Sequence, residues 1–364
     1  MPYSSLFASG QINRTLFKNR MMVAPMTRIS ASETGVPDER MRRYYARFAQ
    51  GGFGAVIAEG IYIDDAWSQT YAFQPGIINQ QQVDGWRDVV TSVQAEGAKM
   101  IAQLIHGGAL SQANIYRADT MGPSAVKPVG QQLAFYHGKG DYACPGALDE
   151  VQIQQVITAF ADSANRAIHE AGFDGVEIHA ANGYLLDQFL TDYSNQRTDR
   201  WGGDIESRLT LTLETIRAVR HKIGPDAILG VRISQGKVND FHHKWKEGEA
   251  GAHSVFTLLA ASGVDYIHIT EYHAWEPAFA DSDKSLVEIA RAAAPSTVII
   301  ANGGLDNGEL AEKITAQGAE FVAIGKAALA NPDWPLRVKE GKTLRALSPD
   351  LLSPIATVKD AELR

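Results

Sequence analysis

Three side chains with complementary proton chemistry fall within six residues of the stretch Val176-Glu-Ile-His-Ala-Ala-Asn-Gly-Tyr184. They are His179, Asn182 and Tyr184. Histidine and asparagine can both donate hydrogen bonds to one carbonyl or nitro oxygen. Donors aimed at one oxygen stabilise the negative charge that develops there in a transition state. A tyrosine hydroxyl can deliver a proton. The set suits conjugate reduction, with two donors for an oxyanion and one acid for a carbon. Spacing alone equally allows a satisfied histidine, an asparagine turn and a packed tyrosine.

Further candidates lie at the ends of other apolar runs. Arg232 sits inside Leu229-Gly-Val-Arg-Ile-Ser234. A buried arginine is costly unless it meets negative charge. That charge could be an anion such as a phosphate or a reduced flavin, or the carboxylate of Glu59 or Glu177. Ile300-Ala-Asn-Gly-Gly304 and Ala323-Ile-Gly-Lys-Ala327 read as phosphate loops. Gly303, Gly304 and Gly325 let backbone N–H groups approach an anion, and Lys326 adds positive charge where a helix begins. The other reading is tight-turn glycines and a solvated lysine. Thr27 and Gln103 could contact a planar heterocycle, and Met26 could form an apolar floor. His106 is either a substrate contact or an ordinary loop residue.

The elements that must carry these residues repeat along the chain. Strand-like apolar runs occur at Met21–Met26, Ala55–Ala58, Met100–Ile105, Val176–Ile178, Ile228–Ile233, Tyr266–Ile269, Val298–Ala301 and Phe321–Ile324. Segments with helical periodicity separate them, among them Glu39–Ala49, Val83–Glu96, Val151–Glu170, Glu206–Lys222, Gly251–Ala261, Ser285–Ala293 and Gly308–Ala316. A glycine stands at the helix-to-strand junctions after Gln50, Glu96, Ala171, Ser262 and Gln317, where a left-handed residue ends a helix. Eight strands alternating with helices predict an α/β fold, a (β/α)8 TIM barrel over residues 1–364 as one domain. A doubly wound sheet is the alternative, weakened because no G-x-G-x-x-G follows the first strand. A long, lid-like connection over about 107–148 leaves the end of the third strand, on the face where barrels keep their active sites. Irregular stretches at Gln235–Lys246 and Glu271–Asp283 leave the same face. A C-terminal tail covers about 341–364.

Taken together, these residues are recognisable. The chain resembles the Old Yellow Enzyme family of FMN-dependent ene-reductases, from Asn19-Arg-Met-Met-Val-Ala-Pro-Met-Thr-Arg28 to Ala330-Asn-Pro-Asp333. The most specific stretch is Gly175-Val-Glu-Ile-His-Ala-Ala-Asn-Gly-Tyr-Leu-Leu-Asp-Gln-Phe-Leu190, continued by Asn195-Gln-Arg-Thr-Asp-Arg-Trp-Gly-Gly-Asp-Ile-Glu-Ser-Arg208. The resemblance implies FMN as cofactor, with NADPH or NADH as reductant. It implies that His179 and Asn182 bind the activating oxygen of the substrate and that Tyr184 donates the proton. Thr27 would bond the flavin near its reactive nitrogen, and Gln103 and Arg232 its pyrimidine edge. Pro25, Met26 and Gly60 would contact the ring. Gly303, Gly304, Gly325 and Lys326 would hold the phosphate. Asp199–Gly203 reads as scaffold.

The chain also departs from the family pattern. Lys326 stands where arginine is usual, which keeps the charge and loses the planar fork. Ile105 occupies a place where many members carry a large aromatic, and Ala109 replaces a common arginine. Within Gln235–Trp245, His242 and His243 have no evident third metal ligand, so no metal is expected and a surface loop is.

Composition narrows the function class. The net charge of -8 argues against nucleic-acid and anionic-membrane partners. The only cysteine, Cys144, excludes an internal disulfide and an iron–sulfur cluster held by four cysteines. No secretory leader is read in Met1–Lys18, and no apolar run is long enough to span a bilayer. A cytoplasmic enzyme with small-molecule partners, an activated alkene and NAD(P)H, is expected; the sequence does not specify oligomeric state. Nitrate esters, nitroaromatics or quinones are alternative oxidants on the same scaffold. A flavin-free aldolase or isomerase barrel acting on a sugar phosphate is the alternative of another class.

Overall fold

The computed structural model describes residues 3–363. Eight parallel strands form its centre: β1 (Met21–Val23), β2 (Ala55–Ile57), β3 (Lys99–Ile105), β4 (Gly175–Asn182), β5 (Ile228–Lys237), β6 (Tyr266–Thr270), β7 (Val298–Asn302) and β8 (Phe321–Ile324). Each pairs with its neighbours in sequence, and β8 pairs with β1. The sheet therefore closes, and the architecture is a (β/α)8 barrel.

Local chemistry starts and stops the helices. Asp38 caps Glu39–Gln50 by accepting from the Met41 amide. Asp149 with Gln152 and Ser285 with Glu288 form capping boxes for Glu150–Asn165 and Leu286–Ala293. At the expected junctions Gly52, Gly97, Gly172, Gly263 and Gly318 all have positive φ, from +73° to +114°. Two helices differ from the expectation. Val151–Glu170 finishes as a π-helix over Arg166–Glu170, and Glu206–Lys222 divides at Leu209. Among the described residues no helix is long and apolar enough to cross a membrane.

Alternating strand residues fill the barrel interior. Its lower part is apolar: Met22, Ala55, Ile57, Ile101, Ile228, Tyr266, Ile300 and Phe321 pack together. Gly230 makes room for Tyr266, since a β-carbon there would lie 2.0 Å from the tyrosine ring. An antiparallel hairpin, Gly10–Ile12 with Thr15–Phe17, adds Ile12 and Phe17 to the same cluster. The sequence reading missed this hairpin, whose strands are three residues each and too short for an alternation signal.

The connection after β3 folds back over the mouth. Its base is clamped where Met121–Gly122 pairs with Gly146–Ala147. Arg197 donates from Nη1 to the Pro123 and Leu148 carbonyls at 3.0 and 2.6 Å. The buried Trp201 donates to Glu150 at 2.6 Å, in keeping with a scaffold role for Asp199–Gly203. At the tip of the connection, Tyr136 donates to the Thr27 carbonyl at 3.1 Å.

Candidate active site

The C-terminal mouth of the barrel gathers the candidate residues above a buried polar layer. Glu177 on β4 lies at the centre of that layer. It accepts from Gln103 Nε2 at 2.8 Å and from the Tyr266 hydroxyl at 3.0 Å, and His268 Nδ1 lies 2.8 Å away. Burial alone would raise the Glu177 carboxyl. The charges of His268 and Arg232, with the hydrogen bonds from His268 and Gln103, outweigh that and hold it below the usual range. Sequence reading did not assign this hub. The clue was present in the period-two pattern of β4, which turns Glu177 to the same side as His179.

Arg232 is adjacent to His179 and to His268 in the sheet register. Its Nη2 donates to Asn302 Oδ1 at 2.8 Å and to Thr270 Oγ1 at 3.2 Å. Its Nε is buried without a partner. The two carboxylates considered as partners are engaged elsewhere: Glu59 binds the Arg28 and Ile29 amides, and Glu177 acts on Arg232 through the field without a direct ion pair. A buried donor left open at a barrel mouth fits an acceptor group of a bound ring.

His179 lies within β4, where the sequence reading had placed it just beyond the strand. It is buried, its Nδ1 has no partner, and its ring lies 5.0 Å from that of Tyr184. Burial pushes its pKa well below the usual histidine value, and Arg232 and His268 act in the same sense, so the imidazole is neutral near pH 7. Asn182 ends the strand with φ +62°, followed by Gly183 at +88°. This left-handed turn is fully tied down. The Asn182 amide donates to Ser234 Oγ, its carbonyl accepts from the Val238 amide, and the Gly183 amide donates to Asp187 Oδ2 at 2.6 Å. The Asn182 carboxamide takes part in none of these bonds. Lys237 neutralises Asp187 through two 2.9 Å contacts. The segment read as loop from Gln235 is thus strand as far as Lys237 and buttresses the Asn182–Gly183 turn. His243 in the remainder pairs its Nδ1 with the Gln235 carbonyl.

Tyr184 is buried, and its hydroxyl lies 2.7 Å from that of Tyr71. Burial raises the Tyr184 pKa to about 12, while the Tyr71 hydrogen bond and Arg232 pull it down. Tyr71 is pushed further above the normal tyrosine value by burial and by Tyr184. Of the two hydroxyls, that of Tyr184 is therefore the more acidic. Ile29, Ile105, Leu110 and Tyr142 pack around this pair, with Tyr136 and Ile355 at the edge. Tyr71, Tyr136, Tyr142 and Ile355 escaped sequence reading, because isolated apolar residues on loops carry no periodic signal.

The other expected residues follow the ends of β1, β2, β7 and β8. Pro25 is buried, and Met26 and Thr27 are half-exposed beyond β1. Gly325 lies beside Met26, and a β-carbon there would meet nothing closer than 3.9 Å. Gly303 and Gly304 sit against the loop after β6. A side chain at Gly303 would place Cβ 1.9 Å from the Glu271 carbonyl, at a φ of +134°. Lys326 is exposed at the same end. Gly60 is buried against Ile105, and its carbonyl accepts from Gln74 at 2.8 Å. His106 is buried; its Nδ1 accepts from the Gly108 amide at 3.1 Å, and its Nε2 has no hydrogen-bond partner.

Comparison with known proteins identifies the family. Residues 5–345 match the model of the NADH:flavin oxidoreductase / NADH oxidase family. The chain belongs to that family. It is an Old Yellow Enzyme-type oxidoreductase that uses FMN with a reduced nicotinamide nucleotide as reductant. It is similar to the structure of the old yellow enzyme homologue from Zymomonas mobilis, with a TM-score of 0.88, 28% identity and 98% coverage of both chains. Morphinone reductase in complex with tetrahydroNAD matches with a TM-score of 0.84 and 30% identity, over 95% of this chain and 93% of that one. A probable flavin mononucleotide-dependent alkene reductase of Leishmania infantum is 33% identical over 91% of this chain and 89% of its own length. The NADH oxidase of Thermoanaerobacter brockii is 30% identical over 93% of this chain, which spans 51% of that longer protein.

The residues present fit the family's cofactor. Gln103 is fixed by Glu177 through its amide nitrogen, which leaves its carbonyl free to accept. The unpartnered Arg232 Nε is a donor. The clear space beside Gly325, with the charge of Lys326, suits the anionic tail. Departure from the usual arginine at residue 326 keeps that charge in compact form.

Proposed function

We propose that this enzyme reduces the C=C bond of α,β-unsaturated carbonyl or nitro compounds. The observation that carries the reading is the convergence on one mouth of a neutral buried His179, the uncommitted carboxamide of Asn182 and the Tyr71-bonded hydroxyl of Tyr184. FMN would be held by Gln103 and Arg232 at its pyrimidine edge. Thr27, Pro25, Met26 and Gly60 would border the ring, and Gly303, Gly304, Gly325 and Lys326 would hold the phosphate. When bound, it supplies the hydride chemistry, accepting from a reduced nicotinamide and delivering to the β-carbon of the alkene.

The protein's own groups do the rest. His179 and Asn182 donate to the substrate's activating oxygen and draw density from the double bond. Neutrality of His179 matters, because a neutral imidazole can donate without carrying a fixed charge into the site. Tyr184 holds the proton that the α-carbon receives, and Tyr71 stabilises the resulting phenolate by turning its own hydroxyl toward it. The aromatic and aliphatic cluster over the mouth excludes water from this transfer. A nicotinamide would use the same donors, which fits the lack of a dinucleotide fingerprint.

A stopped-flow panel tests the reading: flavin oxidation by an enone and a nitroalkene against a nitrate ester, a nitroaromatic and a quinone. Faster oxidation by the latter three, unaffected at Tyr184, would assign the enzyme to those oxidants instead. Two further outcomes are expected. Tyr71→Phe should slow enone reduction about tenfold, the loss of ~1.5 kcal/mol from a hydrogen bond to a developing charge, with flavin reduction unchanged. Lys326→Ala should weaken FMN binding about tenfold by the same measure, and Lys326→Arg should tighten it through bidentate contact. Both are read from recovery of flavin fluorescence on dilution.

A further inference from the structure

We propose that Glu59 is a positioning residue that holds the turn Thr27–Ser30 in the strained form from which the pocket is assembled. Three parts of the molecule meet at this turn: the long connection, the C-terminal tail and the cluster around Tyr184. Tyr136 of the long connection donates to the Thr27 carbonyl. Arg28 grips the C-terminal tail. The Ile29 side chain packs in the cluster around Tyr184. Ser30 Oγ accepts from the Val358 amide at 2.8 Å. At the centre, Ile29 has φ +37°, a region that a β-branched residue avoids unless its surroundings impose it.

Glu59 is what imposes it. One carboxylate oxygen accepts from the Arg28 amide at 2.9 Å and from the Ile29 amide at 3.1 Å. The other accepts from the Tyr45 hydroxyl at 3.0 Å. The Tyr45 oxygen in turn accepts from the Glu59 amide. Glu59 itself is buried, and the Arg28 side chain is turned away from it to Glu362 and to tail carbonyls. An acceptor-only group facing three donors is fully matched when ionised.

A proton on Glu59 adds a fourth donor among the same acceptors, so one O–H is left buried and unmatched. The ionisable and charged groups around the carboxyl are Tyr45 from the helix Glu39–Gln50, Arg28 and Tyr136 of the connection, with Tyr44 and Glu362 on the far side, against Arg28. Burial raises the carboxyl to about 7, with the amide and Tyr45 hydrogen bonds and the Arg28 charge pulling it back. For stability the sign is the reverse of that for the turn. A folded pKa above the unfolded one gives a contribution that is full below about pH 4.3, the unperturbed value, and is lost as pH rises through the folded value.

This inference rests on the reading that Thr27 borders the flavin, and the test separates the two. FMN affinity, from fluorescence quenching, and kcat/KM for an enone are measured across about two pH units centred on neutrality. The full-length wild type is compared with Glu59→Gln and Tyr45→Phe. Wild type should lose affinity and kcat/KM several-fold as pH falls through about 7. Glu59→Gln should be flat at the acid-limb value. Tyr45→Phe, lacking one donor to the carboxylate, should move the inflection to higher pH. A flat wild type, or the same inflection in Glu59→Gln, overturns the assignment. If Glu59→Gln does not fold, the Tyr45→Phe shift decides. If no enone is turned over at any pH, the alkene reading fails, and the affinity profile alone decides on Glu59.

Discussion

Replacing Tyr184 with phenylalanine is expected to slow enone reduction by about 10²–10⁴-fold, the range for loss of a positioned general acid, while flavin reduction by the nicotinamide nucleotide stays nearly unchanged. The asymmetry follows from the site. In the proposed cycle only the alkene half consumes a proton at carbon, and Tyr184 is the hydroxyl whose buried partner Tyr71 eases its ionisation. His179 and Asn182 remain in place, since β4 carries His179 and the turn at Asn182 is held by Asp187, Ser234 and Val238 and not by the tyrosine hydroxyl. Substrate affinity should therefore change little. Single-turnover traces for the two half-reactions, taken separately, provide the measurement. Equal loss in both would mean that the variant disturbs ring binding and that the proton comes from elsewhere. Comparison with Tyr71→Phe adds a check, because that variant should show the same asymmetry at smaller amplitude.

The second large effect is expected far from the reacting atoms. Arg28 is almost fully buried, and its donors are taken by Glu362 at 2.5 and 2.8 Å and by the Ala356, Thr357 and Leu351 carbonyls. Arg47 adds a second contact to Glu362 at 3.0 Å. Arg28→Met should cost about 3–5 kcal/mol, because removing one member of a buried pair strands the other charge. The urea midpoint should fall with little change in slope. Arg28→Met/Glu362→Leu should recover part of the loss, since the fully buried carboxylate is then gone and only Arg47, which is partly exposed, loses a partner. Function should suffer in the single variant as well. The same tail carries Ile355 to the edge of the pocket and ties the Ala356 amide to the Phe135 carbonyl, so the enone KM should rise. Acid should mimic the substitution. Burial opposes ionisation of Glu362, but Arg28, the Lys359 amide and Arg47 outweigh it and hold the carboxyl below its usual range. A lowered folded pKa contributes stability in full above about pH 4.3, and that part is lost as pH falls through the folded value. A midpoint insensitive to Arg28→Met would show that the tail is held by its other contacts.

What the sequence determined by itself is the repeating unit and one edge of the site. Alternation of apolar runs with helical periodicity, and a left-handed glycine at Gly52, Gly97, Gly172, Gly263 and Gly318, are local properties, readable from neighbours along the chain. His179, Asn182 and Tyr184 were legible because a single strand end carries all three. The tertiary structure alone decided what surrounds them. Tyr71 meets Tyr184 across 113 positions, Glu177 meets His268 across 91, and Arg28 meets Glu362 across 334. No periodicity records such pairs, because they exist only once the barrel closes and the connection and tail fold back over its mouth. The same closure turned Lys237, read as loop, into the buried counter-charge of Asp187. Proton chemistry depends on burial and on the partner 2.7 Å away more than on residue type, so Tyr184 stood out in the chain as a candidate acid and its acidity did not.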